Sequence, residues 1–402
     1  MLFSCFSWRV TSGLAKLGFS AAMLGGLSIA GTSIIGACEP DEHRHSPPPE
    51  GGATGACAAL PGEFPPSNCE PSDNKCEPIG SCPIDAKCGA VSCLPLANNS
   101  SGVLDFRFRR LNIIAPPALT YGVNPAVQTS IINHAVDLNA KQCGETGTGA
   151  FSWLLRIDKA GGKVTTGGAP PSNDPFNAGY CFFNNLVPQG DAGPTLDVRP
   201  VTVDIDKTKS TDTSMTSMPL PKLLVPIFLD SSGSSVIILP LTKPILKDVT
   251  VTENGNCIGS FNPAALDNDC TDVFSQCSKW KTAGAVAGSI SLEEADAIPI
   301  QALNGQSLCV LLTRQAPAKT CPRDGTGAIT AKGDYCAKTE KPGDCQDSFW
   351  LAATFAASAI KINDGASTPK CQGGATDAGT DSGVDAGSDT GTDAPTDAAD
   401  GG

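Results

Sequence analysis

Short runs of β-branched, aromatic and other apolar residues recur through the middle of this 402-residue chain, separated by clusters of Gly, Pro, Asn and Asp. Runs of this length are typical of strands, and the clusters between them are typical of turns. No regular alternation with helical segments accompanies them. The pattern therefore predicts a mainly β fold, an antiparallel β-sandwich or barrel-like body with one or two short helices. The runs are FSWLLRID (151–158), GKVTT, YCFFNN, LDVRPVTVDID, LLVPIFL, SVIILPL, ILKDVTVT and SLCVLLT (307–313).

The segment VLDFRFRRLNII, which begins at residue 103, is the clearest single strand. Apolar and charged residues alternate along it, and a period of two places the two kinds on opposite faces of a strand. We interpret it as a half-buried strand with an apolar face and a charged face: Leu104, Phe106 and Phe108 against Asp105, Arg107 and Arg109.

Turn and helix-capping motifs predict the positions of other secondary-structure elements. Asn304-Gly305 predicts a hairpin turn. Asn124-Pro125 supplies a cap and a first-turn proline for one short helix, and Ser291 with Glu294 forms a capping box for a second. Residues 349–362 (FWLAATFAASAIKI) mix helix-favouring Ala with Thr, Phe and Ile, and we interpret them as a strand rather than a helix.

The 18 cysteines divide into even groups once Cys5 and Cys38 are set aside. Six lie between residues 57 and 93, and ten lie between residues 143 and 371. Even groups are expected when disulfides form within each group in an oxidising compartment. Zinc is the alternative for the first group, but its spacing has no C-x2-C pair and no interleaved His. We expect a small disulfide-rich module ahead of the body and no metal site.

The N-terminus has the layout of a secretory signal. Arg9 and Lys16 precede an apolar, Gly- and Ser-rich run over 17–35, and no acidic residue occurs in the first 37. A membrane-spanning helix is the alternative, since roughly 20 apolar residues suffice to cross a bilayer. The run ends in Ile35-Gly36-Ala37-Cys38, which resembles the lipobox of bacterial lipoproteins and favours the signal.

This resemblance implies that Cys38 carries a diacylglycerol and becomes the first residue of the mature chain. Two or three acyl chains make a stable anchor, because each buried methylene contributes about 0.8 kcal/mol and one chain alone holds only marginally. We therefore expect a lipid-anchored protein of the cell envelope, at the periplasmic or surface face of the outer membrane.

Three segments of the body carry a second resemblance: GTGAFSWLLRIDKAGGKVTTGGAPPSNDPFNAGYCF, NCIGSFNPAAL and SLEEADAI. In these segments the chain is similar to secreted, cysteine-rich bacterial lipoproteins of unassigned function, over most of residues 100–362. The resemblance implies export and lipidation, and it brings no catalytic or binding residue with it.

Five regions follow from these features. They are a signal peptide (1–37), the lipidated Cys38 with a flexible spacer (38–56), the cysteine-rich module (57–97), the β-rich body (103–371) and a tail (373–402). In the tail, Asp recurs every fourth residue from Asp377 to Asp397 among Gly, Thr and Ala, a composition that indicates disorder.

The net charge of the chain limits the kinds of partner that it can bind. A formal net charge of −13 makes nucleic acid an unsuitable partner, because its binding depends on Lys and Arg neutralising phosphate. The expected partners are the membrane, through the N-terminal lipid, and an unknown envelope or extracellular ligand.

Catalytic signals are scarce. The chain has no G-x-S-x-G, H-E-x-x-H or G-x-x-x-x-G-K-[ST] motif, and His134, the one histidine of the body, falls within the first predicted helix, where a packed histidine is expected. No catalytic residue is therefore predicted. The function expected is a structural or binding role in the envelope, and the alternative is an extracytoplasmic hydrolase acting on glycans or peptides.

Binding signals are weak. Trp280, flanked by lysines, is the aromatic side chain best suited to stack on a sugar, and Asp267, Asp269 and Asp272 form an acidic group that suits calcium. The segment DIDKTKSTD (204–212) is spaced like a calcium loop, but Lys209 stands where such a loop has Gly. We predict no cofactor, with calcium as the alternative.

Overall fold

The computed structural model describes residues 57–69, 102–120, 123, 127–140, 145–184, 186–188, 195–228, 236–261, 280–300 and 303–363. The predicted lipobox, the spacer, most of the cysteine-rich module and the acidic tail lie outside these ranges. So do Asp267, Asp269 and Asp272. None of the helices within these ranges is long and apolar enough to cross a membrane.

Eight strands form one antiparallel sheet that curls into a nearly closed barrel. They are β1 (Val103–Ala115), β2 (Ser152–Asp158), β3 (Lys163–Ala169), β4 (Val201–Asp204), β5 (Lys222–Phe228), β6 (Val236–Lys247), β7 (Gly284–Ser291) and β8 (Ser348–Ala359). Their order in the sheet is β5-β6-β7-β8-β1-β2-β3-β4. The predicted mainly β, barrel-like fold is confirmed, and residues 349–362 supply most of strand β8.

The barrel closes between β3 and β5 by close packing. Gly168 of β3 lies so near Pro226 of β5 that a Cβ on the glycine would be 2.4 Å from the proline Cδ. The N–H of Phe228, at the end of β5, donates to the C=O of Ala150 at 3.1 Å. Because proline has no N–H to donate, it suits a strand edge that is packed rather than hydrogen-bonded.

Strand β1 is buried on both faces. Phe106 and Phe108 face the barrel interior, and a register shift against β8 between Phe108 and Arg110 marks a bulge. A bulge adds one residue to one strand and so changes which side chains face inward. Beyond it, Leu111 and Ile113 face the interior.

The charged face of β1 does not lie in water, so the half-buried interpretation is wrong on that side. Arg107 is 1 % exposed and Arg109 is 5 % exposed. The Arg107 guanidinium lies 5.5 Å from the ring centroid of Tyr180, and that of Arg109 lies 5.0 Å from the ring of Trp280. Aromatic rings packed outside the barrel thus cover these two guanidinium groups. The face of an aromatic ring attracts a cation, so the arrangement is favourable.

Stacked rings divide the barrel interior. Phe108 packs between Phe355 and Trp153, at centroid distances of 4.2 and 4.9 Å. On the side towards the start of β1, apolar side chains such as Leu104 and Ile157 belong to the same core cluster as the rings. The other side is the subject of the next section.

Three short helices lie in the described parts of the connections. Helix α1 is π-helical over Val127–Asn133 and α-helical over His134–Val136, α2 spans Leu292–Asp296, and α3 spans Leu308–Thr313; a 3-10 turn covers Pro117–Leu119. The first predicted helix is confirmed. The capping box of α2 is confirmed as well, since Ser291 Oγ accepts from the N–H of Glu294.

The strand predicted over 307–313 is wrong. Ser307 caps helix α3 there, its Oγ accepting from the N–H of Val310 at 3.2 Å. The predicted turn before it is confirmed: Asn304 and Gly305 have φ of 56° and 72° between two paired short strands. The run YCFFNN contributes one bridge, between Tyr180 and Ile362, and no longer strand.

Short strands complete the described structure. Five antiparallel pairs are Asn139–Ala140 with Glu145–Thr146, Leu186–Pro188 with Thr195–Asp197, Ser214–Met215 with Val249–Thr250, Ser260–Phe261 with Trp280–Lys281, and Pro299–Ile300 with Gln306–Ser307. Cys257–Ile258 and Tyr335–Cys336 extend the main sheet beside β8, and Lys341–Pro342 pairs with Tyr335–Cys336.

Disulfides join cysteines within each predicted group. The described pairs are Cys57–Cys69, Cys309–Cys321 and Cys336–Cys345, and Cys181 and Cys257 are also disulfide-bonded.

Residues 57–69 lie against the outside of the barrel. Trp350 of β8 donates its indole N–H to the C=O of Glu63 at 2.7 Å, and its ring meets Phe64 edge-on at 5.9 Å. The hydroxyl of Thr354 donates to the C=O of Cys69 at 3.1 Å. Contacts to the barrel therefore supplement the Cys57–Cys69 disulfide in ordering this segment.

Candidate ligand cavity

A cavity of about 230 Å³ occupies the barrel interior on the side of the stacked rings towards the end of β1. Strands β1, β2, β5, β6, β7 and β8 form its wall. Helix α1, the turn before it and the segment from α2 to α3 cover it. An eight-stranded barrel is just wide enough to be filled by side chains or to hold one small ligand. This barrel holds such a space on the side of the rings towards the end of β1.

Small residues on two neighbouring strands leave this space open. Gly288 of β7 pairs with Leu351 of β8, and Val286 pairs with Ala353, and all four border the cavity. Branched side chains of β6, which pairs with the other edge of β7, also border the cavity, among them Leu239. The empty volume therefore follows from Gly and Ala where a filled barrel would carry larger side chains.

Every described side chain that borders the cavity is apolar or glycine. The one polar side-chain atom among them is the indole N–H of Trp153, and it donates to Thr166 Oγ1 at 2.7 Å, away from the cavity. The described part of the lining thus offers no nucleophile and no titratable group. What it offers is removal of apolar surface from water, worth about 0.8 kcal/mol per methylene.

The size suits a small apolar molecule or chain. A cavity of about 150 Å³ lined by Leu, Ile and Phe stays dry and admits a benzene-sized ligand. The cavity here is larger than that and has the same kind of lining.

Helix α1 forms part of the wall, in the place where β1 and β2 separate. The ladder between these strands ends at the pair Arg107 and Leu154. Beyond it, α1 lies in the gap and directs Val127, Ile132 and Ala135 to the cavity.

A side chain of α1 takes the place of a strand in this gap. The Gln128 amide, 1 % exposed, accepts from the N–H of Ile113 at 2.9 Å and donates to the C=O of Leu111 at 2.7 Å. On the opposite side, the N–H of Phe151 donates to the C=O of Ala135 at 2.8 Å. These bonds satisfy backbone groups that a continuous ladder would otherwise have satisfied.

A second cavity, of about 260 Å³, lies beside the loop that resembles a calcium site. Asp212 borders it, but Asp204 bonds Lys163 at 2.6 Å instead. The pKa of Asp206 is lowered by hydrogen bonds from Thr208 and then Lys209. The carboxylates of this loop thus point to separate partners and do not converge on one centre.

Two groups in the described residues bring metal-ligand atoms together, and both contain disulfides. They are Asp296 with Cys309 and Cys321, and Asp347 with Cys336 and Cys345. A disulfide sulfur is not a thiolate, the form of cysteine that binds metal. Neither group can hold a metal while its disulfide is intact.

The residues singled out in the sequence do not meet at the cavity. Trp280 is 3 % exposed and lies under Arg109, so it presents no surface for a sugar to stack on. His134 is half-buried on α1 and does not border the cavity. Glu293 pairs with Arg323, and Glu294 caps α2 and pairs with Lys222, so these two carboxylates have separate partners.

Sequence analysis missed the cavity, because an all-apolar lining has the same pattern as an ordinary core. A partial signal was present: β8 carries Ala at five of its twelve positions, and its neighbour β7 carries Gly or Ala at four of its eight.

No protein-family model matches the chain, and neither the curated proteins nor the solved structures contain a significant match to it.

Proposed function

We propose that this protein is a lipid-anchored protein of the bacterial cell envelope that binds an apolar molecule, or the alkyl chain of a larger one, inside its barrel. The observation that carries the proposal is the cavity of about 230 Å³ with a wholly apolar lining. Native interiors are close-packed, and large empty spaces are few.

An apolar space of this kind leaves the side chains around it without part of their packing contacts. A ligand that fills it removes apolar surface from water and restores those contacts. Because most protein interiors are close-packed, the space supports a role in binding.

The expected location supplies such ligands. The resemblance of Ile35-Gly36-Ala37-Cys38 to a lipobox supports acylation of Cys38, which holds the barrel close to a membrane surface. Membrane lipids and their breakdown products carry alkyl chains. The apolar lining supports binding rather than hydrolysis, because its described side chains include no group that transfers a proton or attacks a bond.

The test uses 8-bromooctan-1-ol as a probe, because bromine quenches tryptophan fluorescence on contact and Trp153 borders the cavity. We expect saturable quenching of the wild-type protein. We expect little quenching of Trp153→Phe, which keeps Trp280 and Trp350, neither of which borders the cavity, and Trp8 of the predicted signal peptide. Unbranched 1-octanol should compete with the probe and raise the melting temperature. Quenching that rises linearly without saturation, equally in both proteins, would contradict the proposal.

A further inference from the structure

Helix α1 forms the described cavity wall on one edge of β1. A strand ladder would be expected there, but the Gln128 side chain holds α1 to β1 instead. The ladder between β1 and β2 stops at Arg107 and Leu154. On its other edge, β1 remains paired with β8 as far as Ala115. The wall is therefore continuous on the β8 side of β1 and interrupted on the β2 side.

We propose that α1 is the gate through which the ligand enters and leaves, and that Gln128 is the latch that holds it closed. This inference rests on the proposed function. Ligand passes between β1 and β2 when α1 swings out of the gap, because the other described strands around the cavity are joined to their neighbours by ladders or by the packed contact of Gly168 with Pro226.

The contacts of α1 fit a gate. Its apolar residues Val127, Ile132 and Ala135 form cavity wall while the gate is shut. Among the described residues, the first half of α1 is bonded to β1 through the Gln128 amide, to Leu111 and Ile113. Its second half is held by backbone bonds from Phe151 to Ala135 and from Thr148 to His134, so α1 can turn outward about this end.

When α1 moves outward, no polar group is left buried without a hydrogen-bond partner. The Gln128 amide and the backbone of β1 that it bonds both become accessible to water when α1 moves outward, so water replaces each lost bond. The Arg107 guanidinium donates to Ser152 Oγ at 3.0 Å and to the C=O of Phe108 at 2.9 Å. These bonds do not involve α1, so they still join β1 to β2 at the edge of the gap when α1 moves.

A π-helix fits this role as well. Seven of the ten residues of α1 are π-helical. Such turns are rare and occur often at functional sites, because their i→i+5 bonding is less stable than that of an α-helix.

The test is the rate of probe uptake, measured by stopped-flow quenching of Trp153 with 8-bromooctan-1-ol. Gln128→Leu has a similar size and removes both amide bonds to β1, together with the bond from Gln128 Nε2 to Asn133 Oδ1 within α1. We expect its association and dissociation rate constants each to rise at least tenfold, with Kd within threefold of wild type, because a gate changes both directions of passage alike. The matched control is Gln315→Leu, the same change at an exposed position, which should keep wild-type rates.

Hydrogen exchange of the wild-type protein tests the gate without a substitution. The N–H groups of Ile113 and Phe151, which bond to α1, should exchange at least a hundredfold faster than the amides of the central strand β8, because local opening exposes the first set and only global unfolding exposes the second. Binding of 1-octanol should slow the exchange of the first set.

The outcomes separate the gate from the cavity. Saturable quenching with unchanged rates in Gln128→Leu, or exchange of Ile113 and Phe151 as slow as that of β8, overturns the gate and leaves the binding function intact. An absence of saturable quenching in wild-type protein overturns both.

Discussion

Asp296 shows how one carboxylate can join three parts of this chain. It ends helix α2, and its Oδ1 accepts from the N–H of Cys321 at 2.7 Å and from the hydroxyl of Ser307 at 2.8 Å, while Oδ2 accepts from Arg323. Burial alone favours the protonated form, but the bonds from Cys321, Ser307 and Arg323 outweigh it and lower the pKa of Asp296. The cap over the cavity is therefore fixed partly by one charge.

The first prediction concerns Asp296→Asn, which at neutral pH should destabilise the protein by about 1–3 kcal/mol, since it weakens charge-assisted bonds at a buried site. The lowered pKa means that the folded state favours the ionised form. Its contribution is complete above the ordinary pKa of 3.8 and disappears as the pH falls through the lower folded value. The difference between the two proteins should therefore shrink in acid.

Chemical unfolding at a series of pH values measures this difference. Asp204→Asn is the control, because its pair with Lys163 is exposed and such pairs contribute about 0–1 kcal/mol. A wild-type advantage that stays constant down to pH 2 would show that the carboxylate charge is not the cause.

The arginines of β1 show what a residue pattern can and cannot predict. Alternation predicted the strand and which face of it carries Phe106 and Phe108. It could not predict that Tyr180 and Trp280 cover the other face, because both lie far along the chain from Arg107 and Arg109. Nor does the pattern indicate the bulge, which depends on the register against β8.

At the scale of elements, closure of the barrel depends on the glycine that lets β3 approach β5. A Cβ at Gly168 would lie 2.4 Å from the Pro226 ring, which is covalently fixed to the backbone and cannot turn away. We predict that Gly168→Ala destabilises the protein by about 1–3 kcal/mol, the usual cost of overpacking.

Gly325→Ala is the matched control. No atom lies within 4 Å of a Cβ built at Gly325, so this change should be neutral or slightly stabilising, through reduced freedom of the unfolded chain. Urea unfolding of both variants makes the comparison. Equal stability of the two would mean that the β3–β5 contact does not hold the barrel closed.

The helices were less predictable than the strands. The capping box of α2 has a local signal and was found. The helix predicted after Asn124-Pro125 was found as well, but that cap lies outside the described residues. Residues 308–313 are apolar at nearly every position, and such a short run fits a buried strand as well as a buried helix. In the folded chain the Ser307 cap favours the helix, and so does the disulfide that joins the buried Cys309 to Cys321.

At the scale of the whole molecule, the barrel-like fold was predictable because each strand carries its own periodicity and turn signals. The cavity was not, since a hollow interior and a packed one differ only in the summed volume of side chains from six strands. The proposed anchor depends on sequence alone, because Cys38 lies outside the described residues.

The anchor yields its own prediction. Cys38→Ser removes the thiol that the lipobox resemblance assigns to lipid, so the variant should appear in the soluble fraction of host cells, whereas the wild-type protein should sediment with membranes. Mass spectrometry of the wild-type N-terminus should show an acylated Cys38. An intact leader, with Cys38 bare, would contradict this account of its location.

The central claim, that the barrel interior is a ligand site, is tested most directly by filling it. Ala353→Leu adds a branched side chain at the cavity wall, and Ala328→Leu adds the same atoms at an exposed position as control. In calorimetric titration, we predict that 1-octanol binds wild-type protein and Ala328→Leu with a negative heat-capacity change. Ala353→Leu should bind at least tenfold more weakly and be more stable than wild type without ligand. Undiminished binding by Ala353→Leu would contradict the claim.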